Sequence, residues 1–136
     1  MARKMRALVL APQNSPDEPS RAPLEEAFRE ASVDTVSVAE PHTRGAQAAS
    51  DLSEAMRQAD VIVADVSTPS PFVFYELGMA TSLGKPTVIL LSTEATGDLP
   101  FDIARYNIVT YDPTNPGTIK SQMSRLLSYQ ASKLSE

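Results

Sequence analysis

The chain has no cysteine, no tryptophan, one histidine and only five glycines in 136 residues. The lack of cysteine excludes disulfides, thiol nucleophiles and thiolate metal ligands. His42 is alone, so it offers little basis for a zinc site or a serine–histidine triad, and no metal is expected. The few glycines form neither G-x-G-x-x-G nor G-x-x-x-x-G-K-[ST]. A glycine loop cradling a pyrophosphate is therefore not expected, and no cofactor is called for. Basic runs are missing as well: 12 Lys and Arg stand against 17 Asp and Glu, a net charge of −5. That balance argues against a nucleic-acid polymer as partner, but not against a small anionic ligand, which needs only a few local donors. No apolar run is long enough to span a membrane. Met5–Ala11 follows basic residues, but it is short and runs into Pro12-Gln13-Asn14-Ser15 without a cleavage pattern. No signal peptide is expected, and the expected location is cytoplasmic.

The remaining composition, 42% apolar and 21% charged, is that of one globular domain over residues 1–136, long enough to bury a single core. Strand-like and helix-like segments alternate along it. Arg6–Ala11 reads as a first strand and Pro12–Pro23 as a proline-rich loop, with a helix from about Leu24 to Ala31. Thr35–Val38 is a short second strand, and His42–Ala49 has no periodicity and reads as a loop. Leu52, Ala55, Met56 and Ala59 mark the stripe of a second helix. Val61–Val66 is apolar until its acidic penultimate residue, as a strand covered on both faces should be. A third helix is predicted from about Pro71 to Leu83, with Ser70 as its cap, Pro71 at its first position and Gly84 as its stop. Thr87–Leu91 and a weaker Asn107–Tyr111 are strands, and Pro116–Lys133 is a closing helix built on Ile119, Met123, Leu126 and Leu127. This order predicts an α/β, three-layer, flavodoxin-like (Rossmann-like) domain. Its parallel sheet has about five strands in the order 2-1-3-4-5, joined by right-handed crossovers.

In such a sheet the ligand crevice lies at the carboxyl ends of the strands, where the strand order reverses. The loops that reach it are Pro12–Pro23 and Asp65–Ser70. Glu76, about two turns into the third helix, shares a face with Val73, Leu77, Ala80 and Leu83. A carboxylate beside an apolar stripe is costly unless it is paired or used. Glu76 is therefore either a nucleophile or cation stabiliser at an anomeric carbon, or a rim glutamate bonded to a nearby backbone or arginine group. Asp65 either meets a ribose hydroxyl, orients Glu76 or protonates a leaving base, or it caps the turn Ser67-Thr68-Pro69. Of Phe72, Phe74 and Tyr75, one is expected to face ligand and the others to fill core. Ser70 and Phe72, at the helix start, offer amide groups to a phosphate. Ala11, Pro12, Ser67 and His42, the last with Arg44 nearby, complete the candidate binding set. Asp98-Leu99-Pro100-Phe101-Asp102 either lines the crevice or forms a turn. Asp60, at the other end of the sheet, reads as a turn residue.

Ala59-Asp60-Val61-Ile62-Val63-Ala64-Asp65, then Tyr75-Glu76-Leu77-Gly78-Met79-Ala80 and Leu83-Gly84-Lys85-Pro86, resemble the nucleoside 2-deoxyribosyltransferase superfamily. They are similar also to the related TIR-like nucleotide-binding proteins, in which "N-V-F-Y-E-L-G" and a later "P-F-D" recur. Here those segments read Phe72-Val73-Phe74-Tyr75-Glu76-Leu77-Gly78 and Leu99-Pro100-Phe101-Asp102. The resemblance runs from about Asp51 to Asp112. It implies a nucleoside or nucleotide ligand, N-glycosidic cleavage as chemistry, Glu76 as catalytic glutamate and Asp65 near a crevice-facing acidic position. It also implies a homo-oligomer in which a neighbouring subunit completes the site. The first strand leads into Ala11-Pro12-Gln13-Asn14-Ser15-Pro16, without the glycine of the family's turn. Ser70 stands where deoxyribosyltransferases carry an aspartate six residues before the glutamate. Loss of that proton donor disfavours transfer between bases, since general acid help is worth about a hundred- to ten-thousand-fold.

The expected function is hydrolysis of the N-glycosidic bond of a nucleoside, nucleotide or NAD, whose charged nicotinamide needs no protonation to leave. The alternative is a non-catalytic, TIR-like nucleotide-binding module that responds by self-assembly. A third possibility is an interaction domain with no small ligand.

Overall fold

A computed structural model describes residues 3–11, 19–36, 45–95, 98–100 and 102–134. The chain runs through β1 (Arg6–Leu10), α1 (Arg21–Glu30), β2 (Asp34–Thr35), α2 (Gly45–Gln58), β3 (Val61–Asp65) and α3 (Pro71–Ser82). It continues through β4 (Thr87–Ser92), a 3-10 turn (Ile103–Arg105), β5 (Asn107–Tyr111) and α4 (Thr118–Leu134). The five strands are parallel and ordered β2-β1-β3-β4-β5. This is the doubly wound arrangement that the alternation of segments predicts.

Side-chain alternation along the strands sends successive residues to opposite faces. Ala7, Val61, Val63, Val88, Leu90, Val109 and Tyr111 join Leu24, Ala27 and Phe28 of α1 and Ile119, Met123 and Leu127 of α4 in one layer of core. Leu8, Leu10, Ile62, Ala64 and Ile89 face the other way, against Leu52, Ala55 and Met56 of α2 and Val73, Leu77 and Ala80 of α3. β3, at the centre, is buried at all five positions.

Several boundaries differ from the expected ones. α1 starts at Arg21, so Pro23 belongs to the helix and not to the loop. A proline is tolerated in the first turn because its missing N–H would have no partner there. α2 starts at Gly45, inside the stretch expected to be a loop. Residues 46–50 (Ala-Gln-Ala-Ala-Ser) lack an apolar stripe, but alanine and glutamine form helix readily. β2 pairs over Asp34–Thr35, with the Val36 N–H also bonded to the Ala7 carbonyl at 2.8 Å. Ser37 and Val38 lie outside the described residues. α3 ends at Ser82, one residue before the expected Leu83, which is its C-cap, and Gly84 turns the chain with φ +70°, a conformation that favours glycine.

The end of the sheet where the strands begin is closed by polar contacts. Asp60 accepts the Arg6 N–H at 2.8 Å and is gripped by both terminal nitrogens of Arg3, in line with a turn role. Lys85 Nζ donates to the carbonyls of Arg57 and Ala59 at the end of α2. Among the described residues no helix is long and apolar enough to cross a membrane.

Candidate functional site

The carboxyl ends of β1, β3, β4 and β5 bring together Ala11, Asp65, Ser67, Ser92 and Tyr111, with Ser20 and Ser70 at the starts of α1 and α3. Ser70 is buried, in an extended conformation (φ −142°), and its Oγ accepts the Val73 N–H at 3.4 Å. It is the expected cap, and Pro71 follows it at the first helical position. Ala11 is exposed just after β1. Pro12, His42 and Arg44 lie outside the described residues, as does Phe101.

Glu76 occupies the border of α3 that its spacing predicts. Val73, Leu77 and Ala80 on the same side are buried, and Glu76 itself is half-buried. Burial alone pushes its carboxyl above the ordinary value. No ion pair or hydrogen bond to Glu76 is present among the described residues. The bland alternative of a rim glutamate satisfied by an arginine or a backbone amide therefore finds no partner among them. Desolvation without compensation makes Glu76 a candidate functional carboxylate.

Asp65 has the opposite character. It is 3% exposed, and three donors engage its two oxygens. Oδ2 accepts from Ser20 Oγ at 2.6 Å and from the Tyr111 hydroxyl at 3.1 Å, and Oδ1 accepts the Ser67 N–H at 3.0 Å. The last bond is the turn-capping role that the sequence left open. Its burial, more than its bonding, limits direct contact with a ligand. Alternation explains the placement. Ile62 and Ala64 face α2 and α3, so Asp65 points with Val61 and Val63 toward α1 and α4. Asp65 and Glu76 thus belong to opposite faces of the sheet.

The aromatic residues divide differently from the expectation. Phe74 is half-buried and lines the core beneath α3. Phe72 is 73% exposed and Tyr75 57% exposed, so two of the three rings face outward. Phe72 lies one turn before Glu76 on the same side of the helix. Beyond β4, Leu99 is half-buried in the α2–α3 layer, and Asp102 accepts the Ala104 N–H at 3.0 Å. These contacts give the acidic-apolar loop a structural role as a core plug and turn.

Sequence reasoning did not single out Ser20, Ser92 or Tyr111. Tyr111 is 2% exposed, and burial, with Asp65 beside it, holds its phenol above the ordinary value. Its hydroxyl is 3.0 Å from Ser67 Oγ, which also accepts the Ser92 N–H at 2.8 Å. Ser20 occupies the cap position of α1 but makes no side-chain cap bond; its hydroxyl goes to Asp65 instead. Among the described residues no three His, Cys, Asp or Glu side chains are grouped to hold a metal ion.

No family model matches the chain. Over 40 residues, 29% of its length, it is 52% identical to the 5-hydroxymethyl-dUMP N-hydrolase of Mus musculus and 50% identical to that of Rattus norvegicus. The matched stretch spans about a quarter of those relatives, 23% and 24%. Among solved structures, a CMP N-glycosidase from Clostridium botulinum superposes with a TM-score of 0.56 at 18% identity. That alignment covers 91% of this chain and 98% of the other. At that identity the likeness establishes a shared fold.

Proposed function

We propose that this protein hydrolyses the N-glycosidic bond of a nucleotide, with Glu76 acting at the anomeric carbon. The observation that carries this function is the half-buried Glu76 carboxylate, without a partner among the described residues, on the helix that follows the carboxyl end of β3. A desolvated carboxylate there attacks the anomeric carbon, or stabilises the oxocarbenium-like cation that forms as the bond to the base breaks. The base departs with the bonding electron pair and takes a proton from the medium; water then attacks the anomeric carbon, returning any bonding pair to the Glu76 carboxylate, and releases a proton. The similar proteins are named for cleavage of 5-hydroxymethyl-dUMP and CMP. Both are nucleoside monophosphates, which favours that class over free nucleosides and NAD. The amides at the start of α3, beside Ser70 and Phe72, suit its phosphate. Ser70 supplies no carboxylic acid to the leaving base, which favours hydrolysis of activated or self-protonating bases over transfer between bases.

We further propose that the working unit is a homo-oligomer. The outward side of α3 carries Phe72, Tyr75, Gly78 and Ser82, all exposed and all uncharged. An exposed helix face normally carries charge.

The test is chromatography after incubation with pooled ribo- and deoxyribonucleoside monophosphates and NAD, with Glu76→Gln alongside. Free base is expected from a monophosphate, with the rate falling on the order of a thousandfold in the variant. Turnover retained by Glu76→Gln refutes the role of Glu76. Binding by both proteins with no product from either refutes hydrolysis and leaves a nucleotide-binding module.

A further inference from the structure

The hydroxyl groups around Asp65 admit a single assignment of protons. Ser67 Oγ already accepts the Ser92 N–H. The Tyr111 hydroxyl donates to the Asp65 carboxylate, which cannot return a proton. Tyr111 has one proton, so the 3.0 Å contact between Tyr111 and Ser67 is made by the serine donating to the phenol oxygen. The result is a one-way chain: Ser92 N–H to Ser67, Ser67 to Tyr111, Tyr111 to Asp65. It closes on itself, because Asp65 Oδ1 also holds the Ser67 N–H.

This closed chain ties the ends of β3, β4 and β5 to one residue of the loop that leaves β3. That loop, Val66–Ser70, has to carry the backbone from the sheet to the first turn of α3, and Glu76 follows six residues after Ser70. Where the loop is fixed, the start of α3 is fixed, and with it the depth of Glu76. The grip is applied from the α1–α4 side of the sheet, opposite the helix it locates.

We propose that Tyr111 and Ser67, through Asp65, are positioning residues that set where Glu76 sits, so that loss of the Tyr111 hydroxyl loosens the β3–α3 loop without loss of the fold. The functional consequence rests on the N-glycosidase activity proposed above, but the positioning itself does not. In the full chain, Tyr111→Phe keeps the ring in the core and removes only the hydroxyl. The readouts are amide hydrogen exchange from Ser67 to Phe74, the carboxyl-carbon NMR titration of Glu76, and turnover of nucleoside monophosphates. Ile119→Val, a core truncation in α4, controls for lost stability.

Three results are expected of Tyr111→Phe. Exchange rises about tenfold or more at Ser67–Phe74 while β1 and β3 stay protected. The Glu76 titration moves toward the ordinary carboxylate value. Finally, kcat falls about tenfold with KM unchanged. Ile119→Val should change none of the three. If Tyr111→Phe does not fold, Ser67→Ala, which cuts the same chain at the loop, is expected to give the same pattern. Unchanged loop exchange and an unchanged Glu76 titration overturn the proposal, as does exchange raised equally throughout the sheet. Wild-type protein that turns over no nucleotide refutes the N-glycosidase function alone, and the exchange and titration results still decide the positioning role.

Discussion

Glu76 carries a desolvation cost that no partner among the described residues offsets, and the cost has a sign that can be measured. Its folded-state pKa lies above the unfolded value near 4.5, through burial. Between the two values the folded state binds more protons than the unfolded one, so stability falls as pH rises through that window. Below 4.5 the group is neutral in both states and the penalty is absent. Glu76→Gln is therefore expected to melt higher than the wild type at neutral pH, with the gap closing below pH 4.5. Calorimetric scans across that range check it, and a gap independent of pH contradicts it. Under the proposed function the same substitution gains stability while losing turnover, the trade that an active-site carboxylate makes. Glu76 was legible in the sequence because its whole argument lies within one helix face, from Val73 to Leu83. The surroundings of Asp65 were not. Its donors Ser20 and Tyr111 are 45 and 46 residues away and meet it only through the alternation of a folded sheet.

Elements were legible where local chemistry decides them, and α3 is the clearest case. Serine at the cap, proline at the first position and glycine after the last turn bracket it, and the observed helix is Pro71–Ser82. The starts of α1 and α2 were missed because helix formers without an apolar stripe give no periodic signal. β2, expected at Thr35–Val38, pairs over Asp34–Thr35, too short a strand for a periodic pattern to fix its bounds. The Ser70 cap also makes a separable prediction. Ser70→Ala should destabilise the protein by about 0.5–1 kcal/mol, the low end for a lost cap because the bond is long. Ser70→Gly should cost only a few tenths of that unit, and urea denaturation distinguishes the two. Equal and larger losses in both would mean that Ser70 Oγ holds something beyond the Val73 amide.

For the molecule as a whole, strand order followed from the alternation of segments and the handedness of crossovers, but assembly is set by surface that no periodicity reports. Two copies of a chain with net charge −5 repel at long range, so a stable contact has to fall where local charge is absent. The outer side of α3 meets that condition. Gly78 sits there in mid-helix, exposed, with ordinary φ and open space where a Cβ would stand. Nothing among the described residues requires a glycine there, which costs a helix about 1 kcal/mol relative to alanine. A ring from a twofold-related helix, Tyr75 or Phe72, packing over that glycine gives the residue a reason. Four such rings, two per copy and already partly covered in the subunit, contribute roughly 400–650 Å². A stable interface buries about 1,200–2,000 Å², so neighbouring surface must join and the dimer should dissociate on dilution. Sedimentation velocity on a concentration series is expected to show monomer and dimer in exchange. Gly78→Arg is expected to leave monomer throughout, with an unchanged circular dichroism spectrum. Wild-type protein that is monomeric at every concentration, or a Gly78→Arg protein that still dimerises, removes α3 as the contact.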